Sequence, residues 1–327
     1  MLRDSFGRTI GKLRISVTDR CDLRCVYCMP AEGLAWKPRG DLLSYEEITR
    51  LATVFCDLGV TELRLTGGEP LVRADVPALV RMLRSSSGAQ DIAISTNGIQ
   101  LARYARPLAD AGLDRVNVSL DALDPARFHE LTRRDGLDAV LAGIAAACEV
   151  FPGRVKLNAV AMRGYTEHEV WAFCEMARRS DLMVRFIEYM PLDADHKWRR
   201  EDVLGGAELR AQIQERYTIV PVEEPDRHAP SRDWRFADAP GGVGFIDSVT
   251  APFCQACDRV RITADGKLRT CLFSQVETDL RTPMRAGATD GELAALIEGA
   301  VWLKEAGHNI GTVDFVPASR SMSQIGG

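Results

Sequence analysis

Between residues 12 and 188 the chain alternates short β-rich runs with longer helical patterns, and this rhythm constrains the fold more than any other feature. The predicted strands cover residues 12–17, 62–66, 91–95, 115–120, 154–160 and 182–188. Helical patterns over 44–58, 75–84, 101–111, 136–150 and 167–179 fill the gaps. Ser44-Tyr45-Glu46-Glu47 reads as a capping box, and Gly59 ends the helix it starts. Strand–helix alternation predicts an α/β fold with a parallel sheet, either a barrel or a doubly wound sheet. Six units fall short of the eight that close a full barrel, which points to a partial, TIM-like barrel. The rhythm stops after about Pro191, and residues 221–235, rich in charge and proline, read as a loop. Two units are therefore expected, over residues 1–195 and 196–327.

The first strand runs into three cysteines within eight residues, Cys21-x3-Cys25-x2-Cys28. Thiolates hold zinc and iron–sulfur clusters, and both usually take four protein ligands. The next candidates, Cys56 and His129, are distant along the chain. A trio on a cubane cluster leaves one iron open to a small molecule. Cys254-x2-Cys257-x13-Cys271 is a second trio. A zinc ribbon completed from elsewhere is its alternative. Cys56, Cys148 and Cys174 lie singly in apolar helical patterns and read as core packing.

Composition narrows the class. With 41 Lys+Arg against 46 Asp+Glu, the net charge of −5 argues against a general nucleic-acid binder. No apolar run approaches a membrane span, and Met1-Leu2-Arg3-Asp4 opens no signal peptide. Nine cysteines in motif spacing then read as cytoplasmic thiols and metal ligands, not disulfides.

In parallel α/β folds ligands bind at the carboxyl ends of strands. There the chain places Gly67-Gly68-Glu69-Pro70, Ser95-Thr96-Asn97, Ser119-Leu120-Asp121, Asn158 and Glu188-Tyr189-Met190. Paired glycines admit close approach to the backbone, and Glu69 can hold an ammonium group; alone, the tetrapeptide is a tight turn. Cations also sit between aliphatic neighbours inside strands: Arg14, Arg64, Lys156, Arg185, and the pair Arg259 and Arg261 on one strand face. Buried charge is costly unless paired, so each either meets a carboxylate or serves an anionic ligand. Converging on one sheet mouth, they favour a polyphosphate.

The first trio, with Tyr27 before its last cysteine and Gly67-Gly68-Glu69-Pro70 after it, resembles the radical S-adenosylmethionine enzymes. With the second trio, Arg259-Val260-Arg261 and the terminal Gly326-Gly327, nearly the whole chain is similar to the GTP 3′,8-cyclase family among them. The resemblance implies an incomplete (β/α)6 barrel, with the auxiliary centre carried by the C-terminal region. It implies two 4Fe–4S clusters, on Cys21, Cys25 and Cys28 and on Cys254, Cys257 and Cys271. S-adenosyl-L-methionine would meet Tyr27, Gly68, Ser119 and Met190, with Glu69 near its ammonium. GTP would meet Arg14, Arg64, Ser95, Lys156, Arg259, Arg261 and the backbone of Val260, with its guanine at the second open iron. Arg259, Arg261, Gly326 and Gly327 would be catalytic, the tail entering the site; on sequence alone a frayed tail is the alternative. Two positions depart from the family's usual residues, Ser95 for threonine and Asp258 for asparagine.

The implied reaction is the first step of molybdenum cofactor biosynthesis. Reductive cleavage of S-adenosylmethionine gives a radical that takes the 3′ hydrogen of GTP. The sugar radical then adds to carbon 8, and a final one-electron reduction and proton transfer give 3′,8-cyclo-7,8-dihydro-GTP. The implied partners are an electron donor, the downstream pterin synthase step and a second copy in a homodimer. The rivals are another radical enzyme with an auxiliary cluster, a zinc-ribbon binding module and an electron-transfer protein.

Overall fold

The computed structural model describes residues 1–193, 195, 197–223 and 228–326. The six expected strands form within one residue of their predicted bounds: β1 (Lys12–Ser16), β2 (Glu62–Thr66), β3 (Asp91–Thr96), β4 (Arg115–Ser119), β5 (Val155–Ala161) and β6 (Met183–Glu188). Between them run α1 (Tyr45–Asp57), α2 (Val76–Ser86), α3 (Leu101–Asp110), α4 (Pro125–Thr132), α5 (Leu137–Val150) and α6 (Thr166–Arg178). The capping box of α1 is closed both ways: Glu47 N donates to Ser44 Oγ at 3.1 Å and Ser44 N to Glu47 Oε2 at 2.7 Å. Helix α4 was not expected. It begins where Asp124 caps the Arg127 N–H at 2.9 Å and Pro125 fills the first helical position.

Each strand sends alternate side chains to opposite faces. Leu13, Ile15, Leu63, Leu65, Ile94 and Val118 are almost wholly buried in one apolar core. Arg14, Arg64, Ser95 and Ser119 occupy alternate positions and line a cavity on the other face. This alternation builds a strand row with an apolar outer side and a polar inner one.

The later segments do not form a separate sheet. They supply α7 (Gly206–Gln214), β7 (Ile219–Pro221), β8 (Arg232–Phe236), β9 (Gly242–Ile246), β10 (Arg259–Ile262), β11 (Lys267–Arg269), β12 (Thr278–Asp279), α8 (Arg281–Arg285), α9 (Asp290–Trp302) and α10 (Met322–Ile325). The sheet runs β12-β11-β10-β1-β2-β3-β4-β5-β6-β9-β8-β7. Strand β10 pairs in parallel with β1, and β9 with β6. Two C-terminal strands thus extend the six-unit row at both edges, and antiparallel strands flank them. Where a loop was expected over 221–235, β8 already begins at Arg232.

Backbone pairing with β7 and β9 holds β8 there, and a buried charge pair ties it across the sheet. Arg185 on β6 and Asp233 on β8 both register with Gly244 on the strand between them. A Cβ at Gly244 would lie 2.2 Å from Asp233 Oδ1 and 3.1 Å from Arg185 Cγ, so only glycine lets the pair meet. Arg185 Nε donates to Asp233 Oδ1 at 3.1 Å, and a second bond joins Nη2 to Oδ2. Burial pushes the Asp233 carboxyl up, but Arg185 more than reverses this and holds it below the usual range. Asp233→Ala leaves the guanidinium buried and unpaired, and is expected to lower unfolding free energy by about 3–5 kcal/mol. Urea denaturation measures this; a loss near zero would mean that water already solvates Arg185.

Candidate active site

The polar inner face opens at the carboxyl ends of the strands, where one cavity is lined by both cysteine trios. The first trio sits on the loop after β1, held against the end of β2. Gly68 N donates to Thr18 O at 2.8 Å and Glu69 N to Arg20 O at 2.7 Å. A Cβ at Gly68 would stand 2.3 Å from Arg20 O, and one at Gly67 2.6 Å from Thr18 O. The paired glycines therefore let the cysteine loop itself lie on the strand end. Arg24 closes the loop by donating to Cys21 O and Leu23 O, each at 2.8 Å. Arg133, in the left-handed region at φ +54°, donates to Met29 O at 2.9 Å.

Burial pushes all three thiols up, Cys28 to about 11, with neighbouring thiols and carboxylates adding to the rise at Cys21 and Cys25. Three such sulfurs ionise together only beside a strong positive charge, which is what a metal centre brings. Around them stand groups that belong with a small polar ligand. The Tyr27 hydroxyl donates to Asp121, whose other oxygen accepts from Val160 N at 2.8 Å. Glu69, 1% exposed, accepts from Leu71 N at 2.9 Å, Thr96 Oγ1 at 2.7 Å and Asn97 N at 2.6 Å. Burial still lifts its carboxyl to about 7 against those three donors. Gly68, Ser119 and Met190 line the same end.

Across the cavity, Cys254 and Cys257 precede β10, and Cys271 follows β11. Arg8, paired with Asp4, donates to Cys254 O at 2.8 Å and Ala306 O at 3.0 Å, tying this loop to the segment after α9. Burial pushes the Cys257 thiol up, but Lys304, Arg259 and Arg261 outweigh it and leave it below the ordinary value.

Between the trios converge Arg14, Arg64, Arg259 and Arg261. Among the described residues, Arg14, Arg64 and Arg261 form no ion pair with a carboxylate. Burial first, and then neighbouring arginines, push Arg14 well down and Arg64 and Arg261 down to about 10. Arg259 stacks on Phe253 at 4.7 Å, and its buried Nε and Nη2 have no hydrogen-bond partner. The nearby Asp258 Oδ1 is 3.5 Å from Nε but also lacks a hydrogen bond, and Asp258 is engaged by Lys12 at 3.1 Å. Four cations crowded on a wall, with donors to spare, form a site for a multiply charged anion.

The tail reaches this wall. Ile325 is fully buried, and Gly326 O accepts from Arg261 Nη1 at 2.9 Å. Gly326 has φ +74°, and a Cβ there would lie 2.7 Å from Thr66 Oγ1. Gly327 lies outside the described residues. Lys156, an expected contact, does not line the cavity. The Val260 side chain is wholly buried on the opposite face of β10, which leaves its backbone as the part that could meet a ligand. Lys156 shares the inner face with Asn158 but lies close enough to Asp233 to draw its carboxyl down. Asn97, Asp121 and Asn158, expected at the strand ends, line the cavity, and Phe253 and His308 join them there without a local sequence signal.

Comparison with known proteins agrees with this geometry. The radical SAM superfamily model matches residues 15–177, and that of Molybdenum Cofactor Synthesis C matches 182–310. The chain is 45% identical to a GTP 3′,8-cyclase of Corynebacterium glutamicum, over 100% of this chain and 89% of the relative. It is 45% identical to one of Streptomyces coelicolor, over 100% and 96%. Among solved structures, Streptococcus suis SuiB bound to S-adenosylmethionine shares the fold with a TM-score of 0.58 and 18% identity, over 88% of this chain and 68% of that one.

Proposed function

Because the chain belongs to the GTP 3′,8-cyclase family of the radical S-adenosylmethionine superfamily, we propose that it converts GTP to 3′,8-cyclo-7,8-dihydro-GTP, the first step of molybdenum cofactor synthesis. The observation that carries this reading is the set of four arginines between two cysteine trios in one cavity. Cys21, Cys25 and Cys28 would hold one 4Fe–4S cluster, and Cys254, Cys257 and Cys271 a second. The half-buried thiols, crowded together at one cavity, fit cluster ligation. When bound, the first cluster and S-adenosylmethionine supply a 5′-deoxyadenosyl radical able to take the 3′ hydrogen of GTP.

The residues of the chain supply position and electrostatics. Tyr27, Gly68, Ser119 and Met190 would border the S-adenosylmethionine, with Glu69 facing its ammonium. Arg14, Arg64, Arg259 and Arg261 would clamp the triphosphate and so fix the ribose, with Ser95 as a hydroxyl donor beside them. Lys156 would join them only by leaving the field of Asp233. Gly326 and Gly327 would complete the wall at Arg261. The same reading gives the protein an electron donor, a downstream pterin synthase step and a second copy of the chain as partners.

Arg259→Ala or Arg261→Ala is expected to weaken GTP binding about 10- to 100-fold, the value of a charge-assisted hydrogen bond or two. Iron content should not change. Equilibrium binding of GTP to the reconstituted protein tests this, and undiminished affinity would make the arginines structural.

A further inference from the structure

The chain carries a buried ammonium that the reading above does not use. Helix α9 ends at Trp302, and Lys304 N bonds back to Val301 O at 3.0 Å. Its side chain then turns inward until the residue is 3% exposed. Lys304 Nζ donates to Arg259 O at 3.0 Å and also to Thr270 O. Those carbonyls belong to the two segments that carry the second trio: Arg259 follows Cys257 by two positions, and Thr270 directly precedes Cys271. Lys304 is thus a cross-tie between the arginine strand and the Cys271 loop.

It is also a charge without a conventional partner. Among the described residues no carboxylate forms an ion pair with Lys304. Its neighbour Glu305 is turned to Thr270 Oγ1 at 2.8 Å. A buried ammonium held only by carbonyl dipoles is costly, unless an anion shares its surroundings. Besides the Glu305 carboxylate, which is committed to Thr270 Oγ1, the anions at hand are the sulfurs that flank the two carbonyls Lys304 holds, Cys257 before Arg259 and Cys271 after Thr270. The same segment closes over the third cysteine: a Cβ at Gly307 would lie 3.0 Å from Cys254 Cβ. Residues 304–307 therefore wrap the second trio, with the cation at the inner side.

We propose that Lys304 is a positioning residue and internal counter-cation for the second thiolate centre, joining its two segments and holding its reduction potential up. This rests on the reading that Cys254, Cys257 and Cys271 ligate a cluster. Net charge and hydrogen bonding near the sulfurs set the potential of such a centre, so a fixed positive charge favours the reduced, more negative form. The Arg259 cation lies on the substrate side and is committed to the cavity, whereas Lys304 stands behind the trio.

The test uses the full chain with Cys21, Cys25 and Cys28 replaced by alanine, so that only the second centre loads. Iron and sulfide are counted after anaerobic reconstitution, and the midpoint potential is read by electron paramagnetic resonance. If this parent takes up no iron, the cluster reading fails and the proposal falls with it. If it loads, Lys304→Met is expected to move the potential negative, and Lys304→Arg to restore it. A loaded Lys304→Met with an unshifted potential overturns the proposal. Should Lys304→Met not load, Lys304→Gln decides, because it keeps a donor without the charge. A negative shift in the glutamine variant supports the proposal and an unshifted potential overturns it. Loading that survives only in the arginine variant also supports it, and loss of loading in all three overturns it in favour of packing.

Discussion

Cys25→Ala is expected to reduce formation of 5′-deoxyadenosine to background, with iron content falling by half. The thiol is half-buried and faces the cavity from the loop that Gly67, Gly68, Arg24 and Arg133 press against the end of β2. Among the described residues no cysteine beyond Cys21 and Cys28, and no histidine, lines this end of the cavity to take its place. Two remaining thiols cannot hold a cubane against solvent and keep one iron open, so the radical source is lost outright. The second trio sits on other strands and keeps its own supports, Arg8 on Cys254 O and Lys304 on Thr270 O. Iron and sulfide analysis beside a S-adenosylmethionine cleavage assay checks both halves. Retained cleavage would move the radical centre away from the first trio.

Removal of Gly326 and Gly327 is expected to lower GTP cyclisation at least about 100-fold, the scale of a small misplacement at a reacting centre. Both clusters should stay loaded. The tail is not a frayed end. The short helix α10 is capped by Ser321, whose N–H bonds Gln324 Oε1 at 3.3 Å, and Ile325 is buried with Leu192, Phe273 and Ile310. Ser323 lines the cavity with Cys28 and eases its thiol down against the burial, while Gly326 O accepts from Arg261. The tail therefore touches the first trio and the arginine wall at once. Gly326→Ala should reproduce much of the loss, because its φ of +74° and the 2.7 Å approach to Thr66 Oγ1 leave no place for a methyl group. Product analysis with iron counts measures this, and full activity of the shortened chain would make the tail a lid of no chemical consequence.

The parallel row was legible because each of its six strands is a short aliphatic run bounded by turn residues. What the chain pattern hid was long-range pairing. Nothing local in Gly242–Ile246 or Arg259–Ile262 tells that one joins β6 and the other β1. Helix α4 was missed because only eight residues carry it, although Asp124-Pro125 is a proper start signal. Four of the six strand cations meet at one cavity, and Lys156 and Arg185 do not line it. Arg14, Arg64 and Arg185 all have apolar neighbours in sequence, yet Arg185 has a carboxylate waiting across Gly244 and the other two do not. Lys304 and His308 gave no signal, since both reach the second trio only through the turn after α9.

The central claim is that the two trios and the arginines between them perform one reaction on GTP. It is tested most directly by anaerobic turnover of the reconstituted protein with S-adenosylmethionine and a strong reductant, quantifying 5′-deoxyadenosine with and without GTP by mass spectrometry. Deoxyadenosine is expected to rise with GTP, and a cyclised product isobaric with GTP to accumulate beside it. Cleavage indifferent to GTP, or no cleavage in a protein carrying two intact clusters, would contradict it.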